Sequence, residues 1–191
     1  MELLLALVLG LRHASDPDHL VAVTSLVAAD GGDVRGAARL GVWWGIGHGA
    51  TLLLVGLPLI ALKEELPAWI ENGAETGVGI VIVALGARLL VNGVRRRQGG
   101  ARRSPHQSFG IGTLHGLAGS GAVVVLLIAA APGRLHAAAA LAVFAPATIL
   151  SMTVFTGAFA WLLGRSAHQA LLVPVLGTFG LLFGLWYAGL T

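Results

Sequence analysis

The chain has 191 residues, of which 56% are apolar and 11% charged, and its mean hydropathy is +0.84. A soluble domain carries about 25% charged residues, so this chain could not cover its own surface in water, and a lipid bilayer is the fitting medium. It has no cysteine, which excludes disulfides, thiolate metal sites and thiol relays, and its net charge of +3 does not point to nucleic acid, because Arg95, Arg96, Arg97, Arg102 and Arg103 crowd into one segment that reads as a topology signal.

A spanning helix needs about 20 mostly apolar residues, and six stretches qualify, at about 3–29, 38–62, 76–94, 108–131, 135–163 and 169–190. The first opens on Met1-Glu2, which lacks the positive region of a cleavable signal, and its apolar run exceeds signal length, so it is expected to remain as a span. Within it lies Arg12-His13-Ala14-Ser15-Asp16-Pro17-Asp18-His19. Each ionisable group in a span costs several kcal/mol unless it is paired or hydrated, so this density calls for a purpose. On a regular helix His13, Asp16 and His19 share one face, while Asp18 points away. Pro17 cannot donate to the carbonyl of His13, and a kink or break there would bring Asp18 to the same side and free that carbonyl as a further ligand. Imidazole and carboxylate together suit a divalent transition-metal ion, nickel, cobalt, copper or zinc, better than a hard ion such as magnesium. The alternative is an internal salt network in which Arg12 pairs with Asp16.

The second span carries Trp44-Gly45-Ile46-Gly47-His48-Gly49, placing His48 near mid-membrane, where it is either a ligand or one side of an interhelical hydrogen bond. Acidic residues Glu64, Glu65, Glu71 and Glu75 separate the second span from the third, and Arg88 near the end of the third is placed to snorkel. The fourth span holds His115 in His-Gly-Leu-Ala-Gly-Ser-Gly, with the same two readings as His48. His106, His136 and His168 fall at span ends and read as interfacial; Asp30 and Asp33 read as a turn. Thr51, Thr113, Ser120, Thr148, Ser151, Thr153 and Thr156 read as bonding back to their own helices.

Lys/Arg counts place the 95–103 segment, Arg35, Arg39 and Arg165 in the cytoplasm and both termini outside, a multi-pass arrangement in the inner (plasma) membrane. Trp69, Trp186 and Tyr187 then fall at the outer interface, Trp43 and Trp161 at the inner one. Gly10-Leu11-Arg12-His13-Ala14 lines up with Gly112-Thr113-Leu114-His115-Gly116, each early in the first span of its half. Three spans per half forces the halves to enter the membrane in opposite senses. The expected fold is therefore an all-α polytopic bundle of two inverted three-helix repeats (residues 1–94 and 108–191) joined by a basic loop (95–107), with the first helix kinked or broken at Pro17.

His-x4-Asp-His, as His13, Asp18 and His19, resembles the signature of the nickel/cobalt transporter family. The fuller string from Leu9 to His19, with Trp-Gly-Ile-Gly-His at 44–48 and His-Gly-Leu-Ala-Gly-Ser-Gly-Ala at 115–122, is similar to its short branch, whose members are described as urease accessory proteins. The resemblance implies uptake of Ni²⁺ or Co²⁺ to supply urease or hydrogenase, with His13, Asp18 and His19 essential, His48 contributing and His115 carried over from the short branch. Two departures stand out. The eight-span members have an acidic motif, Leu-Gly-x-Asp-Thr-Ala-Thr-Glu, that this chain lacks, and Gly49 stands where a hydroxyl residue is common.

The combined expectation is a permease for a dication, nickel first and cobalt second, held by His13, Asp16, Asp18, His19, His48 and His115. The ion is cargo, with no permanent cofactor. The partners expected are the ion and the lipid bilayer, without nucleic acid. No Gly-x-x-x-x-Gly-Lys-Ser/Thr loop occurs, so no ATP is expected to bind this chain. A homo-oligomer stays open. Two other classes compete: a metal-dependent intramembrane hydrolase, and a non-transporting accessory protein for metalloenzyme assembly.

Overall fold

The computed structural model describes residues 1–29, 33–62, 64–94, 104–165 and 169–189. These form seven helices: α1 (Glu2–His13), α2 (Pro17–Ala29), α3 (Val34–Leu62), α4 (Ala68–Val94), α5 (Pro105–Ala130), α6 (Arg134–Arg165) and α7 (Gln169–Tyr187). Among the described residues there is no strand. Asp30, the basic run 95–103 and His168 lie outside the described residues.

Four helices, α3 to α6, are long and apolar enough to cross a membrane; the apolar stretch of α7 is shorter, Leu172–Tyr187. The expected first span is two helices of 12 and 13 residues. Pro17 is the first residue of α2, where its missing N–H would have no partner in any case, so it starts a helix there instead of kinking one. The gap is closed by tight turns. Ser15 N–H donates to Arg12 O at 2.9 Å and Asp16 N–H to His13 O at 3.1 Å. The His13 carbonyl is therefore occupied, contrary to the expectation that the break would free it. Ala14 N–H, at the C-cap of α1, donates to Ser151 Oγ of α6 at 3.3 Å.

α4 begins at Ala68, earlier than the apolar pattern indicates, so Glu71 and Glu75 are helical. Pro67 precedes the helix and Glu71 stands in its first turn, where the unpaired N–H groups favour a carboxylate. α5 starts with a capping box: Ser104 Oγ accepts from Gln107 N–H, and Gln107 Oε1 accepts from Ser104 N–H, both at 3.3 Å. Asp33 caps α3, its carboxylate accepting from Arg35 N–H at 3.2 Å.

α3 packs along both α5 and α6, α1 lies on α6, α4 on α7, and α2 fits among α4, α6 and α7. Glycines set the approach. A Cβ on Gly112 would run into the carbonyl oxygen of Trp44, one on Gly116 would lie 2.6 Å from His48 O, and one on Gly10 2.7 Å from Phe144 O. α4 and α7 meet backbone to backbone, since a Cβ on Gly86 would lie 2.8 Å from Gly177 O and one on Gly184 2.9 Å from Gly79 O. Large apolar side chains such as Leu4, Leu54, Leu135, Val154 and Leu182 face outward, as a lipid-facing surface requires.

Candidate metal centre

Four imidazoles converge where α1 ends, α2 begins, and α3 and α5 run side by side. His13 and His19 flank the break, with ring centroids 4.5 Å apart. His48 of α3 lies 4.8 Å from His13 and 5.3 Å from His19 by ring centroids, and His115 of α5 lies 5.2 Å from His19. His13, His19 and His48 can each point one ring nitrogen into a space where all three lie within 4.8 Å, close enough to hold a metal ion. His19, His48 and His115 are only 3%, 1% and 2% exposed, so little water reaches them.

In three of the four rings the partner of Nδ1 fixes which nitrogen is free; His48 Nδ1 is buried with no hydrogen-bond partner among the described residues. His13 Nδ1 is 3.0 Å from Asp16 Oδ2, and His19 Nδ1 is 3.0 Å from Asp18 Oδ1. His115 Nδ1 lies 3.1 Å from Ile111 O, an acceptor only, so this nitrogen carries the proton and Nε2 keeps its lone pair. A carboxylate does the same for His13 and His19. Three rings therefore turn lone pairs inward. His19 Nε2 and His115 Nε2 are buried with no hydrogen-bond partner among the described residues. His13 Nε2 and His48 Nε2 are 2.9 Å apart, and one of the two must carry a proton if nothing else lies between them.

A cavity of about 280 Å³ is lined by all six candidate residues, His13, Asp16, Asp18, His19, His48 and His115, together with Tyr187. A second, of about 210 Å³, adjoins it at His13 and Asp16 and reaches Leu9, Arg12 and Phe144. The break does what regular helix geometry could not, bringing Asp18 onto the side of His13. Arg12 makes no ion pair with Asp16 among the described residues; Asp16 sits against His13 instead.

Set beside proteins of known name, the chain is 31% identical to the urease accessory protein UreH of a Bacillus species over 169 residues, 81% of this chain and 74% of that protein. The chain belongs to the nickel/cobalt transporter family, in its short urease-accessory branch. The high-affinity nickel transport protein of Cupriavidus necator is 39% identical over 79 residues, 39% of this chain but 22% of that protein. The chloroplast protein FOR GROWTH AND FERTILITY 2 of Arabidopsis thaliana is 30% identical over 166 residues, covering 77% of this chain and 44% of its own. The chain thus spans less than half of these two longer relatives. Neither a family model nor a solved structure matches it.

The family motifs point to the histidines but not to what surrounds them. Trp44, fully buried, stacks on His19 at 5.4 Å between centroids and meets His115 edge-on at 5.6 Å. Its position one helical turn before His48 on the same face was the available signal. Phe144 of α6 presents its edge to His13 at 5.4 Å, and Ser151 anchors the break; neither has any mark in the sequence. Tyr187 lines the cavity, whereas Trp43, Trp69, Trp161 and Trp186 are exposed.

The remaining nickel/cobalt transporter candidates stay away from the centre. His106 is exposed, and His136 is 55% exposed, 4.0 Å from Glu2. Arg88 is exposed at the surface of α4. Thr51, Thr113, Ser120, Thr148, Ser151, Thr153 and Thr156 each donate to a carbonyl of their own helix, as expected.

Proposed function

We propose that this protein carries Ni²⁺, and secondarily Co²⁺, across the inner membrane as an uptake permease that supplies urease or hydrogenase. His13, His19, His48 and His115 hold the ion. Asp16 and Asp18 orient the imidazoles from behind and offset the dication's charge. This narrows the six-residue ligand set expected from the sequence, because each carboxylate faces an outer ring nitrogen.

The observation that carries the reading is the 2.9 Å separation of His13 Nε2 and His48 Nε2 beside two unpartnered Nε2 atoms. Two nitrogens bound at about 2.0–2.1 Å and at right angles lie about 2.9 Å apart, so a dication would replace the proton now shared between the rings. Right-angled nitrogen donors suit Ni²⁺. The relative from Cupriavidus necator, named for nickel transport, supports the same cargo. Membrane potential favours inward movement by about 4–5 kcal/mol per 100 mV, since each charge contributes roughly 2.3.

Two inverted repeats, 1–94 and 108–191, supply the framework of the proposal, with both termini outside. Helix pairing supports it. Exchanging α1–α2 with α5, α3 with α6 and α4 with α7 turns the α3–α5 contact into α6–α1 and the α4–α5 contact into α7–α2, all of them present. The glycine contacts exchange in the same way: Gly10 on Phe144 answers Gly112 on Trp44, and Gly86 on Gly177 answers Gly184 on Gly79.

The test is ⁶³Ni uptake into proteoliposomes under an inward-negative potential. Counts above those of empty liposomes in the parent, lost in His13→Ala, support transport. Tight Ni²⁺ binding with no uptake in the parent would instead assign the accessory role.

Two further results are expected. Asp18→Asn removes the charge behind His19 while keeping its shape, and Ni²⁺ affinity by calorimetry should fall about 10–100-fold. An imidazole that has taken up a proton has no lone pair to give a metal. Ni²⁺ binding should therefore weaken as the pH falls far enough to protonate the site, and return when the pH is restored to about 7.5. Ni²⁺ that stayed bound in acid strong enough to protonate every imidazole would remove the histidines from the ligand set.

A further inference from the structure

We infer that Trp44 is the closed gate of the histidine site on the side where α3 and α5 begin. The reading rests on transport for what passes the gate, but the barrier itself is tested without metal. Both cavities lie on one side of the histidine layer. Their α5 lining runs from His115 through Gly119 and Val123 to Leu127, toward the end of that helix, and α7 contributes Tyr187 from its own end. α3 contributes only His48.

On the other side the layer is sealed. Trp44 is one turn, about 6 Å, nearer the start of α3 than His48. It is fully buried in an apolar cluster with Val23, Val27, Ala37, Met152 and Leu163, none of which lines either cavity. An ion seated among the imidazoles could therefore leave backwards through open space, but forwards only past this indole.

Two features suit the ring to a gate and not merely a filler. It stacks on His19 and meets His115 edge-on, so displacing it is felt at the site. Its Nε1–H is buried with no acceptor among the described residues, so the closed position leaves a donor unsatisfied that any rotation toward water or a carbonyl would satisfy. Gly112, which leaves no room for a Cβ beside Trp44, lets α5 press the indole into place.

The chain has no cysteine, so single cysteines report access cleanly. Gly119→Cys has open space around its side chain and lines the larger cavity; Val23→Cys is of similar size to the parent residue and lies in the sealed cluster. In proteoliposomes exposed to an impermeant charged methanethiosulfonate on both faces, Gly119→Cys should react readily and Val23→Cys about tenfold more slowly or less. Adding Trp44→Ala should raise the Val23→Cys rate about tenfold, and Trp44→Phe, which keeps a ring, should leave it slow. Trp44→Leu stands in if the alanine variant does not purify as a single species, with the same rise expected. Equal rates for the two cysteines in the parent, or a Val23→Cys rate unmoved by Trp44→Ala or Trp44→Leu, would overturn the gate. The labelling pattern holding while the parent fails to take up ⁶³Ni would overturn transport and leave the barrier standing.

Discussion

His48→Ala is expected to abolish ⁶³Ni uptake and weaken Ni²⁺ binding about 10³-fold, or about 4 kcal/mol. His48 Nε2 stands 2.9 Å from His13 Nε2 at the centre of the cluster, and the residue is 1% exposed. Losing a residue that only orients a ligand costs about 10–100-fold, and losing a ligand itself should cost more. His106→Ala, at an exposed position on α5, is the control and should change neither number. Calorimetry on purified protein beside vesicle uptake separates loss of the ligand from loss of the fold. Unchanged binding in His48→Ala would mean that the short contact is an interhelical hydrogen bond and nothing more.

Gly112→Ala should have the largest effect on stability. The added methyl would overlap the carbonyl oxygen of Trp44 and come within 2.8 Å of its Cδ1. That carbonyl belongs to the α3 backbone and cannot swing aside as a side chain would, so the two helices must part. Overpacking of this kind costs about 1–3 kcal/mol. The separation also spreads the site, because His48 and His115 hang from the same pair of helices, one turn further along. Gly110→Ala, on the same helix but with open space where the Cβ would go, should melt like the parent. A detergent thermal melt and a Ni²⁺ titration of the two variants make the comparison. An unshifted melt in Gly112→Ala would show that α3 and α5 do not pack as closely as described.

Much of this was legible in the residues because burial in lipid leaves few choices. A run of apolar residues without charge must be a helix there, since its backbone has no water to bond. The six apolar stretches accordingly correspond to the seven helices, with the first divided at Pro17. The start of α4 was not legible from hydropathy, because Glu71 and Glu75 read as loop by their charge while the helix terminus favours them.

The same division runs through the site. Sequence alone marked His13, Asp16, Asp18 and His19 as a cluster, because ionisable side chains at that density inside a span cannot be incidental. Spacing left open whether His48 and His115 are ligands or hydrogen-bond partners, and only the family resemblance favoured ligands, since spacing along one helix says nothing of what faces it across the gap. Tertiary packing brought those two beside His13 and His19, by way of Gly112 and Gly116, which let α3 and α5 approach to backbone contact. It also turned each carboxylate to the outer nitrogen of its neighbouring imidazole and set Trp44 under the rings. Composition and periodicity are one-dimensional and determine what must be buried; which buried groups meet depends on distances between helices, and only the folded chain sets those.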